Sequence, residues 1–139
     1  MTNVSLAQSC LFKAQVRLTI LPLLLEAAAY SDVVREAQEA VELALKGMLR
    51  QVGIEPPHWH DVGGLVREHA APFGSITGDE IERVARTSAW LRKEREFAFY
   101  GDIDFLPTEQ YDRATADRAI ADARFTGECA GRVIGSQAP

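Results

Sequence analysis

The chain has 139 residues, room for one compact domain rather than two, and its 47% hydrophobic and 25% charged residues set aside disordered, collagen-like and coiled-coil classes. Fifteen Lys and Arg against twenty Asp and Glu leave a net charge of −5, so the molecule as a whole repels polyanions. A nucleic-acid contact therefore needs a local basic pocket, and a general DNA-coating role is disfavoured.

Apolar residues recur at helical spacing almost everywhere, and no segment alternates β-branched residues between turn signals, so the chain is expected to be all-α. A first helix is expected from about Leu6 to Ala29, kinked or broken at Pro22. Within it, the run Leu18 to Leu25 follows Lys13 and Arg17 and precedes three alanines, which mimics a secretory signal. Glu26 interrupts that pattern, and the run is far short of the roughly 20 residues of a membrane span, so it reads as a buried helix segment with no membrane role. Cys10 and Cys129 lie near opposite ends without C-x-x-C spacing, which fits core thiols and a cytoplasmic location better than a disulfide or zinc framework.

The second helix, about Asp32 to Val52, carries the clearest stripe, with Val33, Ala37, Ala40, Val41, Ala44, Leu45, Met48, Leu49 and Val52 at spacings of three and four. Glu42 and Lys46 stand in the favoured i to i+4 order on its flank. Gly53 supplies a stop and Pro56-Pro57 an extended connection. A short helix from about Asp61 to His69 follows, its acidic first residue suited to the positive end of the helix dipole, then a loop marked by Pro72, Gly74 and Gly78. Thr77 and Glu80 have capping-box spacing at the head of a fourth helix that should reach about Phe99. After an acidic loop from Gly101 to Pro107, a last helix starts near Thr108 or Arg113, with Ala119, Ile120, Ala123, Ala130, Val133 and Ile134 inward. The expected architecture is an antiparallel four-helix-type bundle with an extra short helix, one domain over residues 1–139 with a free tail at 135–139.

The fourth helix breaks its own pattern. At about 100° per residue, Ile81, Ala85, Ser88, Arg92, Arg95 and Phe99 share one face, so two guanidiniums occupy an otherwise small or apolar stripe. Such groups need acceptors, because a buried unpaired charge is costly. Either they pair internally with Glu94, Glu96, Asp102 or Asp104 or snorkel to water, or they form a phosphate-binding pocket, completed within the chain or across a dimer axis. His58 and His60 flank Trp59, but i to i+2 spacing in a loop is no recognised metal site, so a structural role is expected and no metal or cofactor is called for. Gly63-Gly64 lacks a following Lys-Ser/Thr, and Ser88 has no histidine on its face, so phosphate-loop and nucleophilic readings find no support.

The stretch Ala37 to Leu49, then Gly53-Ile54-Glu55-Pro56-Pro57, then His60-Asp61-Val62, and later Arg95 with Ala98-Phe99-Tyr100-Gly101-Asp102, resembles the HEPN domain over nearly the whole chain. The resemblance implies a helical bundle that usually dimerises, found in prokaryotes beside minimal nucleotidyltransferases in toxin–antitoxin-like pairs, with many members acting as metal-independent ribonucleases. Those ribonucleases carry an Arg followed, after four to six residues, by a His. Here Arg95 matches the Arg, but Phe99, Tyr100, Gly101 and Asp102 stand where the His is sought, and no histidine follows His69. A tyrosine with a pKa near 10 is a poor general base at neutral pH. On a regular helix, positions 95 and 100 are about 140° apart, so their convergence needs unwinding near Gly101 or a second subunit.

Three functions follow as expectations. The first is a dimeric module that binds nucleotide or RNA phosphates through Arg95, assisted by Arg92 and Tyr100, with Asp102 restraining an arginine when no ligand is present. The second is a ribonuclease toxin with a non-standard site, in which Arg95 with Tyr100 or a distant His69 carries catalysis. The third is an interaction module with internally satisfied arginines.

Overall fold

The computed structural model describes residues 3–56, 61–100 and 111–135, with side chains at 3–4 and 95–100 outside that description. Among the described residues it contains five helices and no strand, as the periodicity predicts: α1 Asn3–Glu26, α2 Tyr30–Gln51, α3 Val62–Glu68, α4 Gly78–Tyr100 and α5 Arg113–Ile134. The acidic loop from Gly101 to Pro107, the His58-Trp59-His60 stretch and positions 136–139 lie outside the described residues.

The ends of these helices follow local chemistry. α1 stops at Glu26, three residues earlier than its composition suggests, because Ala28 takes a left-handed φ of 58°. The Ala29 N–H then donates to Leu24 O and the Ala28 N–H to Leu25 O, both at 2.9 Å, which closes a Schellman turn on an alanine. At the end of α2 the same pattern forms on Gly53 (φ 82°), a residue without the Cβ penalty. α3 is capped by Asp61, whose carboxylate accepts from the Gly63 N–H at 3.1 Å. The capping box at α4 is present: the Thr77 N–H donates to Glu80 Oε1 at 2.9 Å and the Glu80 N–H to Thr77 Oγ1 at 3.1 Å. α5 starts at Arg113, capped by Asp112 through the Thr115 N–H at 2.8 Å.

α2 is the central element and packs on all four other helices. Its predicted stripe is buried from Val33 to Leu49, with Val52 packed at the margin. Interhelical contacts show alternating directions. Arg132 at the end of α5 holds Glu80 at the start of α4, while Tyr111 before α5 donates to Glu94 O at 2.7 Å, so α4 and α5 are antiparallel. α3 runs back along α4, with Arg67 on Glu82 at 2.7 Å and Asp61 near Arg92. α5 packs closely on α1 at Gly127, where a Cβ would come within 2.8 Å of Leu18.

One alternative for α1 is set aside and one expectation is corrected. Pro22 does not break the helix; it lies on the exposed side, where the carbonyl it leaves unpaired can meet solvent. The Leu18–Leu25 run is not a buried segment either. Leu21 is buried, but Leu23 is 68% exposed and continues an outward apolar stripe with Phe12, Val16 and Ile20. The reason is topological, since α1 contacts α2 and α5 alone and one side of it meets no other element among the described residues. No described helix is long and apolar enough to cross a membrane.

Candidate functional site

The predicted stripe on α4 divides along its length. Ile81, Ala85 and Ser88 are buried, and Ala85 and Ser88 meet Gly63 of α3 so closely that a Cβ on Gly63 would stand 2.9 Å from Ser88 Cβ and 3.0 Å from Ala85 O. This contact explains Gly63 without a phosphate loop. Small residues let α3 approach, and the approach sets the head of α3 beside the next turn of α4.

Arg92 occupies that turn. Its Nη1 lies 3.3 Å from Asp61 Oδ1, the same oxygen that caps α3 through the Gly63 N–H. Among the described residues Arg92 pairs with Asp61, the residue at the head of α3, rather than with Glu94. The guanidinium is not sealed in: its side chain is 42% exposed and that of Asp61 is 47% exposed. A half-exposed arginine that meets one carboxylate among the described residues, at its edge, keeps donors available for a second anion, for which the planar fork is suited.

Of the other predicted residues, Arg95 and Tyr100 are on α4, their side chains outside the described part, and Asp102 lies outside the described residues. α4 is helical through Tyr100, so positions 95 and 100 sit on different faces of one continuous helix. His69 caps the C-terminal end of α3, roughly 12 Å along the axis from Asp61, which separates it from the Arg92 turn.

The remaining arginines near α4 behave differently. Arg67 grips Glu82 through two hydrogen bonds of 2.7 and 3.1 Å, and this contact holds the Glu82 carboxyl below its ordinary range. Arg132 holds Glu80 in the same manner and, with the Thr77 N–H adding to it, pulls the Glu80 carboxyl down to about 2. These are fasteners between helices, each cation matched by its own carboxylate. Cys129 is buried and its thiol is pushed up by that burial, although Arg132 Nη2 lies 3.4 Å from the sulfur and acts the other way. It is a core thiol rather than a nucleophile. Among the described residues no three His, Cys, Asp or Glu side chains gather as metal ligands.

Sequence reasoning missed Asp61 as the partner of Arg92. The signal was the pair of small positions, Gly63 on α3 and Ala85 or Ser88 on α4, which together report a close crossing. A family model described as the HEPN domain matches residues 7–130. No curated protein matches the chain.

Proposed function

The chain belongs to the HEPN domain family, and from that premise we propose that it is one helical domain acting as a dimeric module that binds nucleotide or RNA phosphates at the C-terminal part of α4. The observation that carries this reading is the half-exposed Arg92 guanidinium facing the Asp61 carboxylate at 3.3 Å. An arriving phosphate oxygen takes donors that Asp61 leaves open, and Asp61 still has the Gly63 N–H to satisfy it when the arginine turns away.

In this reading Arg95, one turn further on, adds the second guanidinium, Tyr100 orients the anion and Asp102 restrains an arginine in the unliganded state. Two chains meet near this end of α4, since positions 95 and 100 of one continuous helix do not share a face. The biological setting is a cytoplasmic toxin–antitoxin-like pair with a minimal nucleotidyltransferase as the partner protein.

The test is binding of a labelled single-stranded RNA oligomer and of ATP, followed by fluorescence anisotropy and competition. Arg95→Ala and Arg92→Ala should each weaken binding about tenfold, the usual scale for loss of a charge-assisted hydrogen bond. Unchanged affinity in both variants contradicts the reading.

A further inference from the structure

On the side of α4 turned away from Arg92, a groove rich in arginine separates α4 from α5. Its central cavity, about 330 Å³, is lined by Arg83, Arg86, Thr87, Arg118 and Asp122. Beside it lies a second cavity of about 360 Å³, lined by Trp90, Glu94, Tyr111, Ala114, Thr115 and Arg118. Arg118 borders both, so the two are neighbours along the groove.

Three guanidiniums face one carboxylate in the central cavity. Asp122 is shared, at 3.3 Å from Arg83 Nη2 and 3.7 Å from Arg118 Nε. Arg86 makes no hydrogen bond or ion pair within the groove among the described residues, and is felt through space by Glu82 on its own helix. In a chain of net charge −5, this local surplus of positive charge is anomalous.

Two of the three guanidiniums also lie over aromatic rings. The Arg118 guanidinium carbon sits 3.8 Å from the centroid of Trp90, and that of Arg83 sits 3.8 Å from the centroid of Phe125. An arginine stacked on a ring keeps its N–H edge free and loses less freedom when it binds an anion. Fasteners elsewhere in the protein are built the other way, with one carboxylate gripping each arginine.

We propose that this α4–α5 groove is a nucleoside-phosphate site, with the phosphate in the cavity of Arg83, Arg86 and Arg118 and the base in the cavity beside Trp90 and Tyr111. Charge sets the direction, because Glu94 repels the phosphate from the second cavity while its carboxylate can accept from amino groups on a base. The same chemistry is offered by a free nucleotide and by a residue of a single-stranded RNA. The site does not depend on the Arg92 and Arg95 reading, since it lies on the face of α4 opposite Arg92 and uses neither residue.

The experiment uses the full chain carrying Trp59→Phe, so that emission comes from Trp90 alone. ATP is titrated in one arm and a labelled single-stranded RNA 10-mer in the other, with Trp90 emission and anisotropy as readouts. Because Arg118 lies on Trp90, a phosphate that draws it away changes the emission. Arg86→Gln, which removes no described contact in the groove, should weaken binding about tenfold with an unchanged melting curve. Asp122→Asn should tighten it by removing the competing carboxylate. For RNA, Arg86→Gln should also reduce the dependence of log K on log salt by about 0.7. A response to ATP assigns a free nucleotide, and a response to RNA alone assigns a strand; both support the site. No response in either arm, or affinity indifferent to both Arg86→Gln and Asp122→Asn, overturns it. Repeating the titration with Arg92→Ala and Arg95→Ala separates the two sites, because the Trp90 response should survive there.

Discussion

The two long faces of α4 solve the same packing problem in opposite ways. Toward α3 the helix offers Ala85 and Ser88, and Gly63 comes so near that no Cβ fits between them. Toward α5 it offers Arg83, Arg86 and Trp90, and side chains rather than backbones fill the space. The tight face brings one capping carboxylate to one arginine. The loose face leaves more guanidiniums than carboxylates. Small residues thus fix a pair, and large ones keep a groove open.

The strongest test of this contrast is volume. Gly63→Val forces α3 off α4 and should cost about 1–3 kcal/mol, the usual scale of overpacking, whereas Arg86→Ala on the loose face should change stability by less than about 0.5 kcal/mol, as surface substitutions do. Chemical denaturation of both variants checks the pair; equal losses would dissolve the distinction. Next comes the dual use of Asp61. Asp61→Ala removes the α3 cap at a cost of about 1 kcal/mol, while Asp61→Asn retains an acceptor for the Gly63 N–H and removes the charge facing Arg92. Asp61→Asn should therefore be close to wild type in stability and bind phosphate ligands more tightly, as read by thermal melts and anisotropy.

Tyr111 closes the end of the loose face by donating to Glu94 O at 2.7 Å, and burial, aided by Glu94, pushes its hydroxyl well above its ordinary range. Tyr111→Phe should cost about 1 kcal/mol, the net worth of one such bond, without altering the α3 side. The smallest effect concerns a fastener. Glu80 falls from an ordinary 4.5 to about 2 in the folded protein, chiefly through Arg132. A lowered carboxyl stabilises above its unfolded pKa and loses that contribution as pH falls through its folded one. The melting-temperature gap between wild type and Glu80→Gln should be full above pH 4.5 and close as pH approaches 2, and a gap that persists at pH 2 would refute the assignment.

Much of this frame is legible in the residues. The α2 stripe, the Thr77 and Glu80 capping box and the stop at Gly53 follow from local chemistry, which acts within a few residues and so can be read without tertiary knowledge. The exposed face of α1 was not legible, because its apolar content is nearly the same on all sides and only the topology decides which side is covered. Nor was the pairing of Asp61 with Arg92, which joins residues 31 positions apart through a crossing set by Gly63. The groove was half visible: Arg83 and Trp90 on α4, and Arg118, Asp122 and Phe125 on α5, recur at helical spacing, but nothing local states that the two rows face each other.

Arginine side-chain NMR during titration with ATP or single-stranded RNA addresses the central claim most directly, because it asks each guanidinium separately whether it meets phosphate. The Nε–H signals of Arg92 and of Arg83, Arg86 and Arg118 should shift, while those of Arg67 and Arg132, each matched by its own carboxylate, should stay in place. Shifts spread evenly over all arginines, or confined to Arg67 and Arg132, would contradict the account.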